Sequence, residues 1–216
     1  MKFSVVSIFP GIIENFLQYG LLSKAIEKKI ITVDVYDLRD FSTNKHRKVD
    51  DRPFGGGAGM VMTPQPLFDA VASISKKKVG KVILFSAYAE PLTQKKVKEL
   101  AREDHLILIC GRYEGVDQRV IDELVDEEIS IGDYVLMGGE TAAQVVLESV
   151  ARMLDGVVGN PESLETDSFY RDHQFGFPQY TQPRDYKGLK VPEVLLSGHH
   201  KDIVEWREKC QKRRRK

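Results

Sequence analysis

Residues 130–140 read SIGDYVLMGGE, an apolar run bracketed by glycines with a helix-forming segment directly behind it. Gly132, Gly138 and Gly139 carry no Cβ, so the backbone there is free to take a positive φ or to approach a bound group closely. Tyr134, Val135 and Leu136 between them offer a flat apolar wall. About twenty residues earlier a second stretch of the same design, CGRYEGVDQRV at 110–120, closes another apolar run. Either alone reads as a strand-to-helix turn. Together they place one site at the carboxyl ends of neighbouring strands, where open α/β sheets bind their ligands.

Outward from these loops, apolar runs and helical periodicities alternate. Residues 3–9 read as a strand and 11–29 as one amphipathic helix, with Ile12, Ile13, Phe16, Leu17 and Leu21 at helical spacing. Residues 30–36, 81–85, 105–110 and 128–131 read as further strands, and 64–75, 93–102, 116–125 and 140–154 as helices. This alternation defines an α/β fold with a parallel sheet covered on both faces. The polar stretch 37–52 is long for a connection inside such a domain, which marks it as functional or mobile. Residues 155–183 break the pattern. They mix prolines and glycines with Phe169, Tyr170, Phe175, Phe177 and Tyr180 at no regular period, as in a linker that orders on a partner. Residues 192–216 then read as a small helical unit anchored by Trp206, which follows Ile203 and Val204 at core spacing and so reads as packing rather than stacking.

A chain of 216 residues can bury a sizeable core. Its two cysteines, Cys110 in an apolar run and Cys210 among charges, argue against a disulfide framework and for a reducing compartment, with Cys110 packed and Cys210 solvated. Pro10 interrupts the apolar start, which lacks a small-residue cleavage site, and no run approaches the length of a membrane span. We therefore expect a soluble, cytoplasmic protein with no membrane partner. The formal charge is zero, from 32 basic and 32 acidic residues, yet the charges are segregated. Residues 101–170 hold 16 acidic and 4 basic side chains, so the rest of the chain carries the opposite excess. It gathers in KHRK at 45–48 and in residues 201–216, where 8 basic residues stand against 3 acidic. A divided field of this kind steers a polyanion to one face, although a basic terminus also serves simply to solvate itself.

Several familiar signatures are missing. The glycine run GGGAGMVM lacks the Gly-Lys-Ser/Thr ending of a phosphate-binding loop, Met60 stands where a dinucleotide fingerprint needs its third glycine, and the five histidines and two cysteines have no zinc spacing. These absences argue against a nucleoside triphosphatase, a hydride-transfer enzyme and a zinc hydrolase.

The two loops, read with DDRPFGGGAGMVMTPQPL at 50–67, the PG at Pro10 and SGHHKDIVEWR at 197–207, closely resemble the bacterial tRNA (guanine-N1)-methyltransferases of the knotted SPOUT class. The resemblance covers nearly the whole chain. It implies methylation of N1 of the guanosine immediately 3′ of the anticodon of tRNA, with S-adenosylmethionine as cofactor. It also implies a deep C-terminal trefoil knot threading residues from about Leu84 to Leu147, contrary to the general rule that chains are unknotted. Three parts are expected: residues 1–158 as the knotted cofactor-binding domain, 159–183 as a flexible interdomain linker, and 184–216 as a small helical tRNA-binding domain. A homodimer with active sites shared between subunits is implied as well, held by the knot and the 140–154 helix.

Residue by residue, the resemblance assigns the cofactor to Tyr88, Gly111, Glu114, Ile131, Gly132, Asp133, Tyr134, Val135, Leu136, Gly138 and Gly139. A third loop departs from the family's Ser-Pro-x-Gly, since this chain has Ser86, Ala87, Tyr88 and Ala89. YRDHQFGF at 170–177 also departs in length and residues. Neutral guanine bears a proton on N1, so methylation there needs a base and a partner for the charge that moves to the carbonyl oxygen. Taken cold, Asp167 reads as a surface acid or cap beside Ser168, and Arg152 as a helix-surface charge. The resemblance makes them the catalytic pair. Magnesium assists the family's reaction, and Glu114 and Asp167 are the oxygen ligands it would find here, without a dedicated metal cage. Arg52, Ser168, His199 and Lys201 match tRNA contacts, of the kind that position a substrate without reading its bases. The competing readings are a knotted methyltransferase with another RNA target and a non-catalytic RNA-binding dimer. Asp167 with Arg152 argues against the second, and the linker and the SGHH end against the first.

Overall fold

The carboxyl-terminal halves of the strands decide where the site lies. The computed structural model describes residues 1–75, 80–160, 162–170 and 175–211, which group into two units, Met1–Gly159 and Asn160–Lys216. In the first, β1 (Lys2–Ser7) leads through α1 (Pro10–Phe16) and α2 (Gly20–Glu27) to β2 (Thr32–Asp37) and a 3-10 turn at Leu38–Phe41. A short antiparallel ladder of β3 (Asp50–Asp51) and β4 (Val61–Met62) precedes α3 (Pro64–Ile74), β5 (Lys81–Phe85) and α4 (Gln94–Leu100). Then follow β6 (His105–Ile109), α5 (Gln118–Leu124), β7 (Glu127–Ile129) and α6 (Glu140–Arg152).

Five strands form one sheet in the order β2-β1-β6-β5-β7, and every neighbouring pair is parallel. Alternate side chains feed two cores. Phe3, Val5, Ile83, Leu106, Leu108 and Cys110 pack with α1, α2, α4 and α6, while Val6, Val82, Leu84, Ile107 and Ile109 pack with α3 and α5. This is why β6 reads as an unbroken apolar run: both of its faces are covered. β7 lies at the sheet edge, yet α6 packs on β1, so residues 130–139 must return across the carboxyl ends of β5 and β6.

In this first unit two expectations about element boundaries need correction. The single helix over 11–29 is two helices, because Gly20 sits at φ +71°, which ends one helical path and begins another. Ile12 and Leu21, expected on its apolar face, are consequently exposed, whereas Ile13, Leu22 and Ala25 are buried. The polar stretch 37–52 is also less loop-like than its composition, since it contains the 3-10 turn and β3.

The second unit contains α7 (Glu162–Glu165), a hairpin of β8 (Asp185–Tyr186) and β9 (Leu189–Lys190), α8 (Glu193–Leu196) and α9 (His200–Gln211). Lys187 and Gly188 both take positive φ, the requirement of a two-residue hairpin turn. Trp206 is half-buried beside the Tyr180 ring, 6.2 Å between centroids, and the Arg207 guanidinium lies 4.7 Å from the Phe177 ring centre. Residues 177–180, read from sequence as linker, thus pack with α9. Cys110 is fully buried as expected, but Cys210 is half-buried rather than solvated. No helix among the described residues is long and apolar enough to cross a membrane.

Edge strand β7 is clamped by charge. Glu127 accepts from Lys81 at 2.7 Å and Lys96 at 2.6 Å, joining β7 to β5 and α4. Burial works against the Glu127 carboxylate, but the hydrogen bonds and charges of the two lysines outweigh it and hold its pKa below the ordinary 4.5. A depressed folded pKa means that the stabilisation is complete above that ordinary value and lost as pH falls through the folded one. Glu127→Gln should therefore cost about 1 kcal/mol at neutral pH, and the gap to the parent should close as pH falls below the ordinary carboxylate value and through the lowered one. Urea midpoints across that range check it; a gap independent of pH would assign the loss to packing alone.

Candidate functional site

The site is organised by a buried carboxylate with no signature of its own in the sequence. Glu140, in the first turn of α6 and 1% exposed, accepts the Ser7 hydroxyl at 2.6 Å on Oε1 and the Arg112 Nε–H at 2.8 Å on Oε2. The helix amino terminus adds favourable dipole. Arg112 also donates to the Met137 carbonyl at 3.3 Å and lies 4.7 Å from the Phe9 ring centre. The end of β1, the loop after β6 and the segment entering α6 are tied together in this way. Sequence offered no signal for the link, because Ser7 and Glu140 are 133 residues apart.

The glycines of the returning segment serve two different needs. Gly132 takes φ +150°, with the Tyr134 ring folded over it and the Tyr134 hydroxyl donating to the Ile131 carbonyl at 3.0 Å. Gly139 has an ordinary helical φ of −78° and is required for space instead. Its N–H donates to the Gly111 carbonyl at 2.8 Å, and a Cβ there would stand 2.8 Å from the Cys110 Cα. The third loop is held from the opposite side, the Ser86 N–H donating to the Ile129 carbonyl at 3.1 Å and the Leu92 N–H to the Ser130 carbonyl at 2.7 Å. Ala87 and Ala89 thus stand in a loop fixed by its backbone, despite the departure from the family pattern.

These three loops enclose a cavity of about 410 Å³ at the carboxyl ends of β5, β6 and β7. That is the size of a small-molecule site. Of the expected cofactor residues, Tyr88, Gly111, Glu114, Ile131, Gly132, Tyr134, Val135, Leu136, Gly138 and Gly139 line it, and Asp133 does not; its side chain is exposed. Ser130 shapes the wall, its hydroxyl donating to the Gly132 carbonyl at 3.0 Å. Tyr113 lines it too, at φ +62° on a non-glycine residue, a strain that clusters at functional sites. Burial and the nearby Asp50 carboxylate push its phenol pKa up. Burial pushes the Cys110 thiol well above its usual range, Glu140 adds to this and Arg112 opposes it, so the sulfur beneath Gly139 is a packed core group rather than a thiolate.

Other expected residues lie elsewhere. Arg152 ends α6, twelve residues and roughly 18 Å from the cavity end of that helix, and borders a separate groove with Ile12 and Tyr19. Asp167 and Ser168 occupy the turn after α7, where the Ser168 hydroxyl accepts the Gly176 N–H at 2.8 Å. His199 and Lys201 are exposed at the start of α9, and Arg52 is exposed between β3 and β4. Part of the departing stretch, 171–174, and the basic tail at 212–216 lie outside the described residues. Among the described residues no group of three or more His, Cys, Asp or Glu side chains could hold a metal ion. Glu114, one of the two oxygen ligands expected for magnesium, packs against Gly59.

An open parallel sheet with a backbone-walled cavity at a glycine-rich crossing defines an α/β protein with a pre-formed small-molecule site at the carboxyl ends of its strands. The chain belongs to the tRNA (Guanine-1)-methyltransferase TrmD family, whose model matches residues 1–216. Similar proteins include the tRNA (guanine-N(1)-)-methyltransferase of Oceanobacillus iheyensis, 51% identical over 97% of this chain and 86% of that one. The enzyme of the same name from Geobacillus kaustophilus is 49% identical over 99% of this chain and 88% of its own. Among solved structures, the tRNA (m1G37) methyltransferase of Aquifex aeolicus superposes with a TM-score of 0.81 at 42% identity, covering 95% of this chain and 87% of that one.

Because the obstacle at Gly139 is backbone, Gly139→Ala as well as Gly139→Val should weaken S-adenosylmethionine binding by about tenfold or more, the worth of about 1.4 kcal/mol of displaced main chain. Calorimetry on folded variants measures it. Parent-like affinity in both would place the ligand away from this crossing.

Proposed function

We propose that this protein transfers a methyl group from S-adenosylmethionine to N1 of the guanosine immediately 3′ of the anticodon of tRNA. The observation that carries this reading is the glycine-walled cavity at the crossing of residues 130–139 over Cys110 and Gly111, in a chain matched by the family over its full length. The exposed main-chain groups and the apolar faces of Leu136 and Ile131 suit a nucleoside, and the cavity volume accommodates one. When bound, S-adenosylmethionine supplies an electrophilic methyl group on a sulfonium. The protein's part is to orient it and to prepare the nucleophile.

That preparation falls to Asp167 and Arg152. Asp167 accepts the N1 proton as the base lone pair turns towards the methyl group, and Arg152 balances the negative charge that gathers on the guanine carbonyl oxygen. Arg52, Ser168, His199 and Lys201 hold the tRNA backbone, with residues 159–183 as the interdomain linker and 184–216 as the tRNA-binding domain.

The placement of Arg152 supports a homodimer. A residue roughly 18 Å from the cavity at the other end of its own helix serves the reaction only at another copy's cavity. The groove it borders is fringed by the exposed apolar side chains of Ile12, Tyr19 and Leu21, as an interface between copies needs. We read the return of residues 130–139 between β7 and α6 as the trefoil knot, threading about residues 84–147. The arrangement pairs Asp167 of one chain with the cofactor of the other.

Incubation with labelled S-adenosylmethionine and tRNA transcripts carrying G or A after the anticodon tests the reaction, and label in both or neither transcript would refute it. Asp167→Asn should lower turnover by about 10² or more with cofactor affinity nearly unchanged. Mixing that variant with Gly139→Val should restore up to about half a dimer's activity, since one of the two composite sites is then intact. Mixed dimers without recovery would mean that both groups act within one chain.

A further inference from the structure

The loop between β3 and β4 holds a residue that the preceding reading leaves idle. Residues 53–56 make a tight turn closed by the Gly56 N–H on the Pro53 carbonyl at 3.3 Å, with Gly55 at φ +83° directly after Phe54. Positive φ at that position is the mark of a type II turn, and it fixes how the residue before it is displayed. The residue displayed is a phenylalanine at 101% exposure, the most exposed of the chain's large apolar side chains among the described residues. A ring in that position forgoes the burial that its size ordinarily gains.

Isolated apolar residues are ordinary on protein surfaces, and what sets this one apart is the arm that carries it. That arm is bonded to the cavity wall. The Glu114 N–H donates to the Met60 carbonyl and the Met62 N–H to the Gly115 carbonyl, both at 2.9 Å. Gly59 lies so close to Glu114 that a Cβ on it would come within 2.4 Å of Oε1. Exposed Arg52 stands two residues before the ring, and exposed Lys45, His46 and Lys48 belong to the preceding loop. A single ring is far too small for a protein interface, which buries ~1,000 Å² or more, and its basic surroundings suit a nucleic acid.

The geometry points to Phe54 as a stacking residue that packs on the face of an unpaired nucleobase beside the methylated guanosine. This inference rests on the function proposed above. N1 lies on the pairing edge of guanine, so presenting it to an enclosed cavity draws the base out of the stacked anticodon loop. Its neighbours then lose a stacking face, and a rigidly displayed aromatic ring beside the cavity replaces it.

The test uses the full chain with Phe54→Ala, Phe54→Leu, Phe54→Tyr and Phe54→Trp. Affinity for an anticodon stem-loop RNA is followed by fluorescence anisotropy, and kcat/KM is measured with whole tRNA. Loss of one stacked base should reduce RNA affinity and kcat/KM by about tenfold in Phe54→Ala and Phe54→Leu, while Phe54→Tyr and Phe54→Trp stay within about threefold of the parent. S-adenosylmethionine affinity and melting temperature should be unmoved in all four, because the ring makes no part of the cavity or core. Parent-like RNA affinity in Phe54→Ala overturns the inference. So does parent-like behaviour of Phe54→Leu, which would mean apolar contact without stacking, and so does a loss of dimer or of melting temperature in Phe54→Ala. A parent that binds the RNA without methylating it would refute the proposed reaction, and the anisotropy series would still decide the role of Phe54.

Discussion

Glu140 is a carboxylate with 1% exposure, and three separate parts of the chain are fixed by what it needs. Removing an ionised carboxylate from water costs several kcal/mol unless charge and hydrogen bonds replace the solvent. Here the replacements come from the end of β1, through Ser7, from the loop after β6, through Arg112, and from the amino terminus of α6 itself. Each of those segments is also a border of the cavity or its foundation. The cavity is therefore built on an ion pair whose carboxylate is buried and whose guanidinium reaches the cavity wall, and its shape follows from what that carboxylate needs. Gly138 and Gly139 follow from the same cause, since the Arg112 side chain and the Cys110 backbone occupy the volume where their side chains would be.

How much of this could be read in the sequence varies with the range of the interaction. The unbroken apolar run of β6 announces a strand covered on both faces, and the glycine loops announce backbone geometry, because both signals are local. The break at Gly20 was hidden since apolar residues continue at helical spacing on both sides of it, and only the positive φ reveals the turn. Strand order was not legible: nothing near Lys2 indicates that its neighbour is His105. The Arg112–Glu140–Ser7 network escaped for the same reason, each member being unremarked in its own surroundings. Glycines that serve φ and glycines that serve space look alike as letters, and Gly132 and Gly139 were told apart only in three dimensions. Asp167 and Arg152 had no local signal, and the family resemblance alone singled them out.

The segregation of charge also takes on a physical meaning. Residues 101–170, with 16 acidic side chains against 4 basic, contain most of the cavity loops and would repel a phosphate backbone by themselves. Part of that charge is locally balanced: Glu127 by two lysines, Asp117 by Arg119 and Glu140 by Arg112. The unbalanced remainder discourages approach of a polyanion over the acidic loops and favours approach over the Arg52 arm and the 45–48 loop.

The interior position of β1, between β2 and the much later β6, has a consequence for how the protein is made. β1 leaves the ribosome ahead of the strands it pairs with, and its partner β2 follows within about thirty residues, but its other neighbour begins at His105 and the acid that accepts from Ser7 lies at 140. At a synthesis rate of ~5–20 residues per second, one edge of that strand waits roughly 5–20 s for β6. During this interval Phe3, Val5 and Val6, fully covered in the finished protein, belong to an open strand edge of the kind that pairs with other chains. The nascent chain is thus most vulnerable to aggregation early, and a pause in translation between β2 and β6 would lengthen that exposure without altering the folded product.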